Sequence, residues 1–427
     1  MIGLILFGSF FVLVFLNVPI AVSLGLSTLI SMKYLNFSFG TFPDTMYTAI
    51  SKFALLAIPF FILAGSIMDY AGISKRLIRF ANVCVGHRKN GLLAVVVIVA
   101  CFFAAISGSG PASVAALGGI LIPALANAGY DKGLSTALIA ASGAIGIVIP
   151  PSIAYVVYAS ISDVSVGQLF MGGIIPGIIV GVCYYFAAAI ASRGKDIKQQ
   201  PKASGKERWK AFKDAIWALL MPVIILGGIY GSIFTPTEAA GVAVVYGLIV
   251  GLFIYREIKI KDLWNLFVDS AVSSGTVLYI IASAAVFAYI LTTSHLAANL
   301  SAALLAISNS KYVLLLLINI IFLIAGCFLD ANSAFYILIP IMMPIVRAVG
   351  IDPVHFGVFT TVNLAIGLIT PPVGINLYVG ARIANLPAGD VIRKIIPFLI
   401  AGIIGLLIIT YIPGVSLLLP NLIHTTV

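Results

Sequence analysis

The sequence predicts an all-α polytopic membrane protein built from two inverted repeats of five spans, each with a re-entrant hairpin and a Pro-Pro-broken helix. Three observations carry that prediction: an apolar composition, helix breakers that recur at one offset, and basic residues gathered on one side. Of the 427 residues, 61% are apolar and 9% are charged. Soluble domains carry about a quarter charged residues, which excludes a water-soluble enzyme. The apolar runs do not alternate, so a membrane β-barrel is excluded as well. At ~20 residues per span the chain supplies about ten crossings. The first 32 residues lack a basic segment and a polar cleavage segment, and read as mature membrane helix rather than signal peptide.

The repeat appears when the chain is slid against itself by 221 residues, which aligns 107–179 with 328–400 without a gap. Pro123 then meets Pro344, Gly129 meets Gly350, Asp131 meets Asp352 and Pro176 meets Pro397. Gly146, Pro150 and Pro151 meet Gly367, Pro371 and Pro372. Helix breakers recurring in register mark a duplicated backbone path rather than shared greasiness. The halves are 1–192 and 214–427, joined by a polar, basic linker, 193–213. Its 209–212 end, with Trp209 and Phe212, reads as lying on the membrane surface; a plain solvated loop is the equal alternative for its first part.

In chain order, the first half places spans at 2–16, 19–32, 46–70, 134–162 and 168–192. The second places them at 215–233, 236–255, 265–291, 355–384 and 390–412. Between the third and fourth spans lie amphipathic segments, 73–87 and 295–310, and pairs of shorter runs, 91–106 with 111–128 and 312–328 with 334–349. Arms of 15–18 residues reach only ~23–27 Å, which favours re-entrant hairpins over two thin spans. A pair adds no net crossing, so each half crosses an odd number of times and the second is inverted. Nineteen of the 24 Lys and Arg residues then fall on one side, which the positive-inside rule makes cytoplasmic, with both termini outside. The net charge of +10 is therefore a topology signal and not a nucleic-acid surface. The four cysteines lie singly, without a CxxC pair, which argues against a disulfide framework or a zinc site.

Four polar breaks interrupt the apolar runs. Ser107-Gly108-Ser109-Gly110-Pro111 and Asp330-Ala331-Asn332-Ser333 form the hairpin tips, and Ile149-Pro150-Pro151-Ser152 and Thr370-Pro371-Pro372-Val373 break the fourth spans. Proline removes N–H donors and pushes the preceding residue out of the α region, so carbonyls lose their partners. Carbonyls at half-helix C-termini, with Ser and Thr hydroxyls, suit a small cation such as Na+; half-helix N-termini suit a carboxylate. Inverted repeats interrupted at matching positions point to a secondary transporter. Asp330, an acid between apolar runs, is a functional candidate by default, its alternative being a structural, hydrogen-bonded acid. Asn376 either binds substrate or caps freed backbone. Arg382 pairs with an anionic solute or snorkels to the surface. Glu238, in Thr235-Pro236-Thr237-Glu238, reads as a helix cap. No phosphate-binding loop occurs, so transport must draw on an ion gradient.

These tips and breaks, with Phe234-Thr235-Pro236-Thr237-Glu238-Ala239-Ala240 and Val373-Gly374-Ile375-Asn376, resemble the large membrane subunit of TRAP (tripartite ATP-independent periplasmic) transporters, most similarly the sialic acid subgroup. The resemblance implies an elevator-type transporter fold, with scaffold helices in 1–70 and 215–291, arm helices at 73–87 and 295–310, and hairpins with broken helices in 91–162 and 312–384. It implies Na+ as coupling ion, no other cofactor, and no enzymatic activity. One sodium site would use Ser107, Gly108, Ser109 and Gly110 with Gly146, Pro150 and Pro151; a second would use Asp330, Asn332, Gly367, Thr370 and Pro371. Substrate, a small organic anion of sialic acid or C4-dicarboxylate type, would meet Ser109, Ser152, Asn332, Ser333, Asn376 and Arg382 between the tips. The implied partners are a small four-helix membrane subunit, not preceding residue 1 here, a periplasmic substrate-binding protein, and the lipid bilayer of a bacterial inner membrane. A one-component Na+/anion symporter or exchanger and a non-transporting scaffold for a binding protein are the alternatives.

Overall fold

The computed structural model describes residues 1–194, 197–308 and 310–424, and among these the chain contains helices and turns but no strand. Helices α1 (Ile2–Phe15) and α2 (Ile20–Leu35) are separated where Asn17 turns with φ 62° ahead of Pro19. The expected single span at 46–70 is instead α3 (Thr41–Ile50), a 3-10 turn (Phe53–Leu56) and α4 (Ala57–Tyr70). Pro59 sits in the first turn of α4, where its missing N–H costs no hydrogen bond. Then come the amphipathic α5 (Ile73–Val85), the first hairpin arms α6 (Gly91–Ser107) and α7 (Gly110–Asn127), the broken pair α8 (Lys132–Ala144) and α9 (Ile153–Ser162), and α10 (Val166–Ala191).

The second half opens with α11 (Gly205–Tyr230), which begins ten residues before the expected span. Ser204 and Glu207 form a capping box: the Glu207 amide donates to the Ser204 hydroxyl (3.2 Å) and the Ser204 amide to the Glu207 carboxylate (2.7 Å). The 209–212 stretch forms part of the first turns of α11, with Trp209 and Phe212 stacked on each other. The same box, Thr235 with Glu238, starts α12 (Pro236–Ile249), so Glu238 is the cap that its motif announced. Next follow α13 (Ile260–Thr293), α14 (Leu296–Ile307), the second hairpin arms α15 (Lys311–Gly326) and α16 (Ala331–Ala348), and the broken pair α17 (Pro353–Gly367) and α18 (Ile375–Ala384). The chain ends in α19 (Ala388–Tyr411) and α20 (Gly414–His424). The sequence did not announce α20; it packs on α10 and α17, and its Ser416 hydroxyl lies 2.6 Å from His355 Nδ1.

Eight helical stretches among the described residues are long and apolar enough to cross a membrane. The arms α7 and α16, at 18 residues, are among them, so length alone does not distinguish an arm from a span. Burial sets α16 apart: 72% of it is buried inside the protein, against at most 50% for the others. Two groups of helices result. In one, α13 packs on α2, α3 and α4, α1 on α2, α4 on α12, and α11 on α5. In the other, the two halves interlock: α18 lies on α7 and α8, α19 on α8 and α10, α9 on α16, and α10 on α17. Contacts of α13 with α16 and of α4 and α5 with α6 join the groups.

The aspartates paired by the 221-residue offset do one job. Asp131 accepts the Leu134 amide (2.8 Å) at the start of α8, and Asp352 accepts the Val354 (2.7 Å) and His355 (3.2 Å) amides at the start of α17. Each satisfies N–H groups that the first helical turn leaves without a partner. Asp131→Ala and Asp352→Ala should each lower stability by about 0.5–2 kcal/mol, with Asn substitutions recovering most of it. Thermal unfolding of the purified protein in detergent measures this, and equal loss in the Asn and Ala variants would contradict the capping role.

Candidate functional site

Each broken helix needs partners for the backbone groups it releases, and in both halves a part of the hairpin lies against the break. The first tip leaves α6 through Gly108, in the left-handed region at φ 60°, and enters α7 through Ser109 with extended backbone. Its hydroxyls are tied inward. Ser107 Oγ and Ser113 Oγ are 3.0 Å apart, and Ser113 donates to the Ser109 carbonyl (2.8 Å). Ser113, the last residue of the Ser107–Ser113 tip motif, has no role assigned from sequence, although it stands one helical turn after Ser109, where a hydroxyl reaches the i−4 carbonyl.

The first break runs from a 3-10 turn at Ile145–Ile147 through a cis Pro150–Pro151 bond to Ser152, the residue before α9. The Ser152 hydroxyl donates to the Ile147 carbonyl (2.6 Å) and is fully buried, so it serves the break rather than facing open space. The tip sits directly on this break. A Cβ at Gly108 would lie 2.9 Å from the Pro151 carbonyl oxygen, and one at Gly146 would lie 2.8 Å from both the Ser109 carbonyl oxygen and the Ser113 hydroxyl. Ser107 through Gly110 and Gly146 through Pro151 are therefore one cluster of carbonyls and hydroxyls.

The second tip is built differently. Asp330 caps α16, its carboxylate accepting the Asn332 amide (3.0 Å), the Ser333 amide (3.4 Å) and the Ser333 hydroxyl (2.5 Å). The structural alternative for this acid is what its contacts display. Before it, α15 ends at Gly326, and Gly326 meets Gly367 backbone to backbone: a Cβ on Gly367 would be 2.6 Å from the Gly326 Cα. Beyond Gly367 the second break carries Thr370, whose hydroxyl donates to the Ile366 carbonyl (2.7 Å), a cis Pro371–Pro372 bond, and Val373, whose amide reaches the Cys327 carbonyl (3.4 Å). Asn332 is half-buried and Ser333 fully buried at the start of α16.

Asn376 connects the halves. It is fully buried, its amide donates to the Ala140 carbonyl of α8 (3.0 Å), and among the described residues its Oδ1 has no hydrogen-bond partner. Gly110 of the first tip lies beside it, since a Cβ there would be 3.3 Å from the Asn376 side chain. Asn376 thus binds a helix carbonyl of the opposite half, and among the described residues keeps one acceptor over. Arg382 is not brought to this place. It is exposed on the last turn of α18, while Asn376 is in its first turn.

A cavity of about 310 Å³ opens beside the first tip, between it and helices α4 and α13. Ser107 and Ser109 line it from the tip, Ser66 and Asp69 from α4, and Ser273 from α13. Asp69 escaped the sequence reading although an acid ending an apolar span is itself a signal; here it accepts the Ser74 hydroxyl (3.1 Å).

Comparison with known proteins follows the same outline. Residues 7–415 match the family model described as the tripartite ATP-independent periplasmic transporter, DctM component. The chain is 42% identical over 376 residues to the C4-dicarboxylate TRAP transporter large permease protein DctM of Pseudomonas aeruginosa, covering 88% of each chain. It is 41% identical over 423 residues to the isethionate TRAP transporter permease protein DctMQ of Oleidesulfovibrio alaskensis, covering 97% of this chain and 65% of that protein's length. In structure it is similar to the Alcanivorax borkumensis YdaH transporter, with a TM-score of 0.61 at 17% identity, covering 90% of this chain and 89% of that one; this likeness concerns the fold alone.

The backbone contact of Gly326 with Gly367 makes the second tip sensitive to a single methyl group. Gly367→Ala should destabilise the protein by about 1–3 kcal/mol, because backbone rather than a flexible side chain must move. Gly241→Ala, at a position where a Cβ meets nothing within 4 Å, is the control. Equal melting temperatures for the two variants would contradict the close approach.

Proposed function

Because the chain belongs to the tripartite ATP-independent periplasmic transporter family as its DctM component, a large membrane permease and not an enzyme, we propose that it is the sodium-coupled carrier subunit of an importer for a small organic acid anion. One observation carries the reading: the first hairpin tip lies on the break of its own half and beside Asn376 of the second, and the end of α15, just ahead of the second tip, meets the second break at Gly367. Irregular backbone at membrane depth is tolerated where it lines a site. The cluster of carbonyls and hydroxyls around Ser107–Gly110 and Gly146–Pro151 has the chemistry of a Na+ site, as do the half-helix ends at Gly326 and Gly367. Asp330 holds the second tip in shape through its cap, so its part in cation binding is positional. The spare Oδ1 of Asn376, beside Gly110, offers a polar group between the halves, and the 310 Å³ cavity lined by Ser107 and Ser109 has room for a small anion.

Relatives named for C4-dicarboxylate and isethionate support an anion with a carboxylate or sulfonate group; the sialic acid subgroup remains a narrower form of the same proposal. The interlocked helices α6–α9 and α15–α18 would move as one body against α1–α4 and α11–α13, an elevator motion, with inverted repeats supplying its two end states. The large permease of this family works with a small membrane subunit and a periplasmic binding protein, and we assign this chain the same partners in a bacterial inner membrane, with its basic face cytoplasmic and both termini periplasmic.

The test is uptake into proteoliposomes holding this chain, its small subunit and its binding protein, with labelled succinate and labelled N-acetylneuraminate as probes. Uptake of one probe should require an inward Na+ gradient that K+ does not replace. Na+ should also raise the melting temperature of the complex relative to choline at equal ionic strength, as binding to the folded state requires. Asp330→Asn, which preserves the cap, should keep most of that rise, and Asp330→Ala should lose it. Uptake and melting temperature indifferent to Na+ would remove the sodium coupling; uptake without the binding protein would favour a one-component carrier.

A further inference from the structure

A concentration of positive charge lies away from the hairpin tips, where the turn between α5 and α6, the end of α10 and the start of the linker meet. They enclose a cavity of about 290 Å³. Arg88 and Lys89 line it from the turn, and Arg193 and Lys198 line it from the linker. No Asp or Glu is among its described lining residues. The nearest described acid in sequence to its wall, Asp131, is engaged elsewhere, on the Leu134 amide and with Lys394 at 3.9 Å.

Two further features point to a ligand. The first turn of α6, at Gly91 and Leu92, lines the cavity and carries no acidic residue, so the partial positive charge of a helix N-terminus faces the same space. Ser192 lines it too; it is only 4% exposed, and among the described residues its buried hydroxyl has no hydrogen-bond partner. A buried hydroxyl left unmatched is costly unless something supplies the bond. The walls are held in place: the Lys198 amide donates to the Ala128 carbonyl (3.0 Å), docking the linker onto the end of α7.

We propose that this cavity is a binding site for a phosphate-bearing anion, with the four cations as its rim, the α6 N-terminus as its floor and Ser192 as a hydrogen-bond donor. The shared chemistry is a phosphate group, whether on an anionic lipid headgroup or free in solution. Basic pockets at the cytoplasmic ends of membrane helices suit such headgroups, each cation adding to the attraction. An occupant would clip the linker that joins the halves to the base of the first hairpin.

Native mass spectrometry of the full chain, with phosphatidylglycerol or cardiolipin against phosphatidylethanolamine, tests the lipid source. Melting temperature with inorganic phosphate against chloride at equal ionic strength tests the free one. The variants are Arg88→Ala with Lys198→Ala, whose side chains are exposed, and separately Ser192→Ala. The control is Lys259→Ala with Lys261→Ala, cations outside the cavity. In the supporting result, one probe binds the unaltered chain, the Arg88/Lys198 pair weakens it on the order of tenfold, Ser192→Ala weakens it less, and the control leaves it unchanged. Retained anionic lipid identifies a headgroup, and stabilisation by phosphate alone identifies a soluble ligand. The proposal is overturned if neither probe binds, or if the control pair weakens binding as much as the cavity pair, since the attraction would then be diffuse charge.

Discussion

Inside a hydrocarbon layer every backbone amide and carbonyl must find its partner within the protein, and this constraint organises the described structure. Two helices are broken where consecutive prolines cannot donate, so α8–α9 and α17–α18 each expose a short stretch of carbonyls. The protein does not repair these with regular hydrogen bonds. It lays part of a hairpin against each, and the hairpin tips are themselves capped: a serine cluster at Ser107, Ser109 and Ser113 in the first half, the Asp330 carboxylate in the second. Polar backbone is thereby concentrated at two matched places and kept from the apolar surface.

Such concentration requires close approach, and that is where the small residues are spent. Gly146 admits the first tip and Gly367 the end of α15, at distances that leave no room for a Cβ. Asn376 then stitches the second half to the first through the Ala140 carbonyl. Packing of α18 on α7 and α8, and of α9 on α16, makes the two broken helices and two hairpins one interlocked body. Helices α1–α4 and α11–α13 form the other group, and the cavity beside the first tip lies at the seam.

Much of this was legible in the chain. The helix breakers at Pro150, Pro151, Pro371 and Pro372, and the Ser-Gly and Asp-Asn tips, act locally, since a missing N–H or a left-handed glycine breaks a helix whatever surrounds it. The same holds for Glu238, whose capping partner Thr235 is three residues away. Less legible were features that local rules leave balanced. The division at Ser51–Lys52, the early start of α11 and the existence of α20 depend on what each segment packs against. Arg382, attractive as a lone cation, ends up exposed because the rotation of α18 is set by its contacts with α7 and α8.

By itself, then, the sequence determined the membrane class, the helical content, the duplicated breaks and the caps, because composition, proline and capping chemistry act within a few residues along the chain. Only the tertiary structure decided which polar groups meet. Asn376 reaching Ala140 spans 236 positions, and the unmatched Ser192 hydroxyl faces a cavity assembled from three separate segments. No periodicity encodes such meetings. They follow from side-chain packing between helices, where a rotation of one residue along a helix, about 100° at 3.6 residues per turn, redirects every group it carries.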